Sequence, residues 1–418
     1  MSITIVNEEI KMKNIAIVTL AVALENEKGY SRFRFLATVL SKYYNVDLIT
    51  SSFQHWEKKQ RDRAAVDAMN TPYRIMIADE PGYKKNVDFR RIYSHKVAVK
   101  NIIKILKNNH YDLIYCIIPD NNMAASVGGF AKSHGIKFIV DIEDLWPEAM
   151  EMISPFSKGL NKVLFGTFRK TAYKAYLAAD AFVGTSDEYR DVPKNKYGIL
   201  QKPAITVYVG VDLDDFDSGI REFSNQIEKK GDEFWITYAG NLGASYDIGT
   251  LIKAGQILYS REQKDIKVKI LGGGPCEEEF KSIAMKKKCN VEFMGYTPYR
   301  KMAAYLSKSD ILINSFVRKA PQSIVTKIGD YLAAGIPIIN TLASPEFRKK
   351  VEHDGLGRNI IAEDPEKLAE MIFEMKNDKE ELDKMGKKSR LICEAEFDRK
   401  VSYLKIKDLI DDLLGENL

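Results

Sequence analysis

Cysteine is scarce in this chain: four residues among 418, Cys116, Cys276, Cys289 and Cys393, with no CxxC pair. That spacing excludes a disulfide framework and reads as free thiols in a reducing compartment. Five histidines are scattered without an HExxH-like pair, which argues against a histidine-built metal centre. No apolar run nears the ~20 residues of a membrane-spanning helix. The opening "MSITIVNEEIKMKN" lacks the long apolar core of a signal peptide, so a cytoplasmic protein is expected. Excess charge is also small, at +5. That is too little to argue for nucleic acid, but it suits an anionic small ligand or an anionic membrane surface.

What is abundant is apolar β-branched sequence in short bursts. Hydrophobic residues make up 45% of the chain and charged residues 29%, the balance of a globular protein. The bursts "IAIVTL" (15–20), "VDLITS" (46–51), "DLIYCII" (112–118), "KFIVDI" (137–142), "AFVGTS" (181–186) and "ITVYVG" (205–210) predict strands buried on both faces. Helical patterns such as 94–109 separate them, which predicts βαβ units and a parallel sheet. The polar stretch 212–233 reads as a linker. Alternation then restarts at 234–240, 267–273, 291–296, 311–316 and 336–341. The expected fold class is therefore α/β, with two doubly wound parallel sheets facing a cleft. The expected domains are 12–213 and 214–397, with an amphipathic helix within 398–418 packing back on the first. Ligands of such sheets sit at the carboxyl ends of the strands, so the residues of interest should follow strands.

Several segments do so. "PQSIVTKIGDYLAAGIPII" (321–339) predicts a helix with Ser323 at the N-cap, Gly335 just past the end, and a buried stripe of Ile324, Ile328 and Leu332. Its amino end with Lys327 could hold an anion, and Asp330 could accept from a vicinal diol. The alternative is a capped helix with a solvated Lys–Asp pair. "YAGNLG" (238–243) and "LGGGP" (271–275) are glycine turns after strands, where Gly240, Gly243 and Gly273 could let backbone approach a ligand. Neither is a dinucleotide fingerprint nor a P-loop, and both also fit ordinary βα turns. "DIEDLWPEAM" (141–150) gathers Asp141, Glu143, Asp144 and Glu148 at a strand exit, as a site or as a helix cap with Trp146 in the core. Gly29 lies in a loop that could face a phosphate or simply join strand to helix. The stretch 154–180 mixes aromatics and leucines with lysines and arginine, fitting either an anionic membrane surface or an ordinary core-facing helix.

In order along the chain, "DIEDLWPE", "AADAFVGTS", "YVGVDLDDF", "YAGNLG", "LGGGP", "FMGYTP", "SDILINS" and "TKIGDYLAAGIPII" resemble the GT-B glycosyltransferases of retaining family 4. The "DLWPE" stretch resembles the branch that builds bacterial surface polysaccharide. The resemblance implies a hexosyltransferase that uses a UDP- or GDP-linked sugar, a saccharide or polyprenyl-linked acceptor, and neither metal nor cofactor. The family's two acidic positions, seven residues between them, fall here on Gln322 and Asp330, implied to contact donor-sugar hydroxyls and the nucleotide ribose. The family's phosphate-binding arginine falls on Asn241. That leaves Lys327 as the main cation, helped by Arg318 or Lys319, with Tyr296 and Gly273 as further substrate contacts. Asp144 is expected, with Lys327, as a catalytic residue that lies on the acceptor side or contacts the sugar, and Glu148 as a substrate contact. A nucleotide-sugar 2-epimerase and a non-catalytic scaffold are the alternative readings.

Overall fold

The computed structural model describes residues 12–85, 88–148, 158–320 and 322–415. The chain divides into two units, one running to Thr206 and resuming at Tyr403, the other spanning Val207–Ser402.

The first unit is built on seven parallel strands: β1 (Asn14–Val18), β2 (Asn45–Ser51), β3 (Arg74–Ala78), β4 (Leu113–Ile118), β5 (Lys137–Ile142), β6 (Ala181–Gly184) and β7 (Ala204–Thr206). Their order is β3-β2-β1-β4-β5-β6-β7, the doubly wound pattern that starts in the middle and works outward twice. β4 is buried at all six positions, which explains its unbroken apolar run. β3 at the edge alternates little and carries Arg74 at its start, so its sequence gives a weaker signal. Helices α1 (Arg32–Leu40), α2 (Phe89–Lys107), α3 (Asn121–Ser133), α4 (Lys158–Leu164) and α5 (Gly166–Ala178) follow in turn. α2 begins five residues before the predicted 94, because Asp88 caps it by accepting from the Arg90 amide at 3.0 Å. α2, α3 and α5 bury Val99, Ile102, Val127, Ala172 and Tyr176 in one core with β4 and β5. The last helix, Leu404–Leu414, belongs to this unit: Ile406, Leu409 and Ile410 are buried, and Tyr44 donates to Asp411 at 2.5 Å.

The second unit repeats the plan with six parallel strands: β8 (Phe234–Ala239), β9 (Ile266–Leu271), β10 (Val291–Gly295), β11 (Ile311–Asn314), β12 (Ile338–Asn340) and β13 (Gly357–Asn359), in the order β10-β9-β8-β11-β12-β13. Helices α6 (Leu213–Phe223), α7 (Ile248–Ser260), α8 (Glu277–Met285), α9 (Tyr299–Ser307) and α10 (Lys327–Ala333) pack on it.

Two expectations are corrected. The boundaries fall at 206/207 and 402/403, not 213/214 and 397/398. Val211 donates to Phe397 at 2.8 Å and accepts from Arg399 at 3.0 Å, which ties the 207–213 segment to the second unit. The stretch 212–233 is not a linker throughout, since α6 occupies half of it. Asp212 caps that helix, and Leu213 and Phe216 are buried. Gly219 lets it approach α9 so closely that an added Cβ would lie 2.5 Å from the Arg300 carbonyl oxygen.

Candidate active site

At the carboxyl edge of the second sheet, β8 runs into Gly240 (φ +149°) and β9 into Gly272 (φ +127°), conformations that favour glycine. The two turns are in contact: a Cβ on Gly272 would overlap the Gly240 carbonyl, and the Leu242 amide donates to the Gly273 carbonyl at 3.0 Å. A Cβ on Gly274 would lie 2.5 Å from Asn241 Oδ1, and one on Gly243 would lie 3.3 Å from the same atom. Gly240, Asn241, Gly243 and Gly273 are thus brought into one double turn.

Lys327 reaches this turn from α10. A Cβ on Gly240 would stand 2.9 Å from Lys327 Nζ, so glycine there leaves room for the ammonium. Nζ is shut off from solvent and has no hydrogen-bond partner among the described residues. It lies over three rings instead, 4.1 Å from the Tyr238 centroid, 4.5 Å from Tyr246 and 5.5 Å from Phe316. Cation–π attraction of this kind is worth about 2 kcal/mol when desolvated, less than the cost of removing an ammonium from water. Burial accordingly pulls the Lys327 pKa down to about 7.

The remaining predicted residues of this unit are placed differently. α10 is one short helix of seven residues beginning at Lys327, with Thr326 at its cap position and no side-chain cap. Ser323 is therefore not an N-cap. It is buried, with its Oγ 3.4 Å from Ser344 Oγ, and no helix amino end is available there to hold a phosphate. The buried stripe is Ile328, Tyr331 and Leu332, whereas Ile324 is only partly buried. Among the described residues Lys327 and Asp330 form no ion pair. Asp330 instead accepts from Tyr299 Oη at 2.9 Å, at the start of α9. Its pKa is pushed up to about 6 by burial, opposed by that hydrogen bond and by Arg399. Gln322 Oε1 is buried with no partner among the described residues. Arg318 is drawn away from the turn: its backbone amide donates to Glu363 Oε1 at 2.9 Å and its guanidinium to the Ala362 carbonyl at 3.1 Å. Tyr296, after β10, is 82% exposed.

At the same edge of the first unit, the acidic cluster of 141–148 is split. Asp141 is fully buried, takes an ion pair from Arg32 at 3.1 Å and accepts from Tyr115 at 2.6 Å. Arg32 also holds Glu143, at 3.0 Å. These two carboxylates are structural. Asp144 accepts from the Leu145 amide at 2.8 Å and from Trp146 Nε1 at 3.1 Å, and burial pushes its pKa up. Glu148 is buried; Tyr197 donates to one oxygen at 2.9 Å and the other has no partner among the described residues. Gly29 (φ +126°) packs on Trp56, whose ring an added Cβ would overlap, so its glycine is explained by that contact. The sequence reading missed Arg32, the rings around Lys327 and the Tyr299–Asp330 bond. It also missed His95, whose Nδ1 lies 2.5 Å from Asp120 Oδ2. None of these forms a local motif, because each partner comes from a distant segment.

Residues 219–391 match the family model described as Glycosyl transferases group 1, which covers most of the second unit. A comparison with curated proteins finds no match. Solved structures are similar along nearly the whole chain. Sucrose-phosphate synthase from Thermosynechococcus elongatus is 16% identical with a TM-score of 0.71, over 97% of this chain and 100% of that one. Anabaena HepE, crystallised with UDP, is 13% identical with a TM-score of 0.66, over 97% and 100%. A protein described as a putative UDP-N-acetylglucosamine 2-epimerase from Listeria monocytogenes is 13% identical with a TM-score of 0.60, over 98% of each chain. The fold is that of the GT-B proteins. Within it, the second unit carries the group 1 glycosyltransferase signature.

Proposed function

We propose that this protein is a retaining family 4 hexosyltransferase that moves a sugar from a nucleotide diphosphate to a saccharide or lipid-linked acceptor in surface polysaccharide synthesis. The observation that carries the proposal is the Lys327 ammonium, desolvated, unpartnered and pressed against the glycine turn at Gly240. A buried cation without a counter-ion is costly to the empty protein. A diphosphate supplies the missing charge, and the double turn lets its oxygens approach backbone. As the bond to the leaving diphosphate breaks, Lys327 stabilises the growing charge from a fixed position. The leaving phosphate takes the acceptor's proton on the same face of the sugar, so no protein nucleophile is required. Asp330 is assigned to the ribose hydroxyls, Gln322 to the donor sugar, and Asp144 with Glu148 to the acceptor. No metal is assigned a role, which chelation with EDTA tests: unchanged turnover is expected, and loss restored by a divalent cation would overturn it. A uridine nucleotide is favoured because HepE was crystallised with UDP.

Membrane association is part of the proposal. Among the described residues no helix is long and apolar enough to cross a bilayer. α4 and α5, however, expose Leu160, Val163, Leu164, Phe168, Tyr173 and Leu177. Residues 158–178 contain lysine and arginine but no acidic residue. That pairing suits an in-plane helix on anionic lipid at the inner membrane face; residues 154–157 of the predicted stretch lie outside the described residues. Co-sedimentation with anionic vesicles at low salt is expected, and its absence would remove this part.

The deciding experiment is a panel of UDP- and GDP-sugars scored by release of free nucleotide, with and without a lipid-linked acceptor. Acceptor-dependent release, lost in Lys327→Met, is expected. Conversion of a nucleotide sugar without acceptor would establish an epimerase instead. No thermal shift with millimolar UDP or GDP would leave a scaffold.

A further inference from the structure

The Lys327 ammonium stands against the Gly240 turn, yet neither solvent nor a ligand can reach its Nζ as the side chains lie. Three rings close it in, and they are not held alike. Tyr238, on β8, is fully buried, and its hydroxyl donates to the Asn241 carbonyl at 2.7 Å. Phe316, after β11, is also fully buried, and Thr341 holds its backbone at both ends. The Phe316 amide donates to Thr341 Oγ1 at 2.7 Å, and the same hydroxyl donates to the Phe316 carbonyl at 3.0 Å. Both rings are walled in by the close-packed core, so turning either one out would disrupt its neighbours on every side.

Tyr246 differs from both. It is half-buried, and its hydroxyl makes no hydrogen bond among the described residues. Its ring lies 4.8 Å from Phe316 and 6.1 Å from Tyr238, centroid to centroid, and 4.5 Å from Nζ. The backbone on either side of it is fixed. The Ser245 carbonyl accepts from the Val317 amide at 3.1 Å, and the Asp247 carbonyl accepts from Ser315 Oγ at 2.8 Å. The Asp247 carboxylate accepts from the Glu363 amide at 2.9 Å. The turn therefore stays in place while the side chain alone can change rotamer. Swinging out gives up one cation–π contact and returns water to an ammonium that burial has stripped of it. Those terms oppose each other, which keeps a covered and an uncovered state close in free energy.

We propose that Tyr246 is a gate: its ring covers Lys327 in the empty protein and turns out to admit an anion to the ammonium and the Gly240 turn. That the anion is a nucleotide diphosphate rests on the transferase reading above; the gate rests on the enclosure of Lys327. The cation is then shown only to a ligand that displaces the ring, and apparent affinity is reduced by the fraction of molecules whose gate is closed.

Amine labelling with formaldehyde and dimethylamine-borane, resolved residue by residue by peptide mass spectrometry, reads the gate directly. In the native chain Lys327 should be methylated at least about tenfold more slowly than exposed Lys319. Tyr246→Ala should erase that difference, and Tyr246→Phe should restore it, because the ring and not the hydroxyl makes the seal. Tyr246→Leu, apolar but without the ring's span, should label at an intermediate rate and stands in if the alanine variant does not fold. Titration calorimetry with UDP gives the second measurement. Removing the gate should tighten UDP binding by about tenfold, whereas removing a ring that merely contacts the ligand weakens it. Lys327 labelled as fast as Lys319 in the native chain, Lys327 still protected in folded Tyr246→Ala, or UDP binding weakened by that substitution would each overturn the proposal. The two readings part cleanly. If UDP does not bind and the labelling follows the gate, the transferase falls and the gate stands. If UDP binds and Lys327 labels alike in the native chain and Tyr246→Ala, the gate falls alone.

Discussion

At the scale of single residues, Lys327 and Gly240 state the conflict between stability and function most plainly. An ammonium whose pKa falls from 10.5 to about 7 is held in a place that disfavours its charge. The unfolded chain binds that proton more tightly than the folded one, so stability rises as pH increases from about 7 to 10.5 and is lost as pH falls through that window. Lys327→Met, similar in length and uncharged, should therefore raise the melting temperature of the ligand-free protein at pH 7, by an amount equivalent to about 1–3 kcal/mol. It should also flatten the rise above pH 7 and abolish UDP binding. Calorimetry with and without UDP checks all three. UDP bound to the native protein at pH 8 should take up a proton, because diphosphate restores the charge on Lys327; titration in buffers of different ionisation enthalpy reads this directly. For Asp330 the sign is reversed. With its pKa raised from 3.8 to about 6, stability declines as pH rises across that interval, and Asp330→Asn should remove the decline. Gly240→Ala meets two obstacles, φ +149° and a Cβ 2.9 Å from Lys327 Nζ. It should cost about 1–3 kcal/mol by strain and weaken UDP binding as the ammonium is displaced.

Among elements, what was legible followed from whether neighbours in sequence were neighbours in space. Strands buried on both faces announce themselves as apolar runs, and β5 is found where the run 137–142 lies. β3 and β13 were not predicted: the apolar run of β3, Ile75–Ala78, is only four residues long and follows Arg74, and Gly357–Asn359 is too short to show a period. α6 was misread because its outward face, with Asp214 and Asp215, dominates the composition. The buried Leu213 and Phe216 and the partly buried Ile220 carry a helical spacing that was there to be seen. The close fit at Gly219 gives the test: Gly219→Val should force α6 from α9 and cost about 1–3 kcal/mol by overpacking, whereas a substitution at exposed Glu222 should not register. Denaturant titration distinguishes them. The candidate site divided the same way. Its glycine turns are local and were readable, and Lys327 and Asp330 were picked out. The rings that surround Lys327 come from β8, the turn after it and the segment after β11, and no spacing rule joins them.

For the molecule as a whole, the chain closes the first unit with its own end. Two units each have their own buried core, yet the first recovers residues from Tyr403 onward, after the second is complete. Tyr403 is fully buried, with the Arg32 guanidinium 5.2 Å from its ring. Arg32 is the buried cation that pairs with both Asp141 and Glu143. Losing Tyr403 would expose an ion pair that depends on being fully enclosed. Losing Ile406, Leu409 and Ile410 would remove about 1.5–3 kcal/mol of burial for each. A chain ending at Ser402 should therefore lose the first unit's cooperative melting while the second keeps its UDP-dependent transition, since the glycine turns, Lys327 and Asp330 all lie in Val207–Ser402. Scanning calorimetry with and without UDP reads both transitions in one sample. If the truncated chain keeps a native first transition, Arg32 does not need its lid. If UDP stops shifting the second, the nucleotide is held by more of the chain than the residues assigned to it.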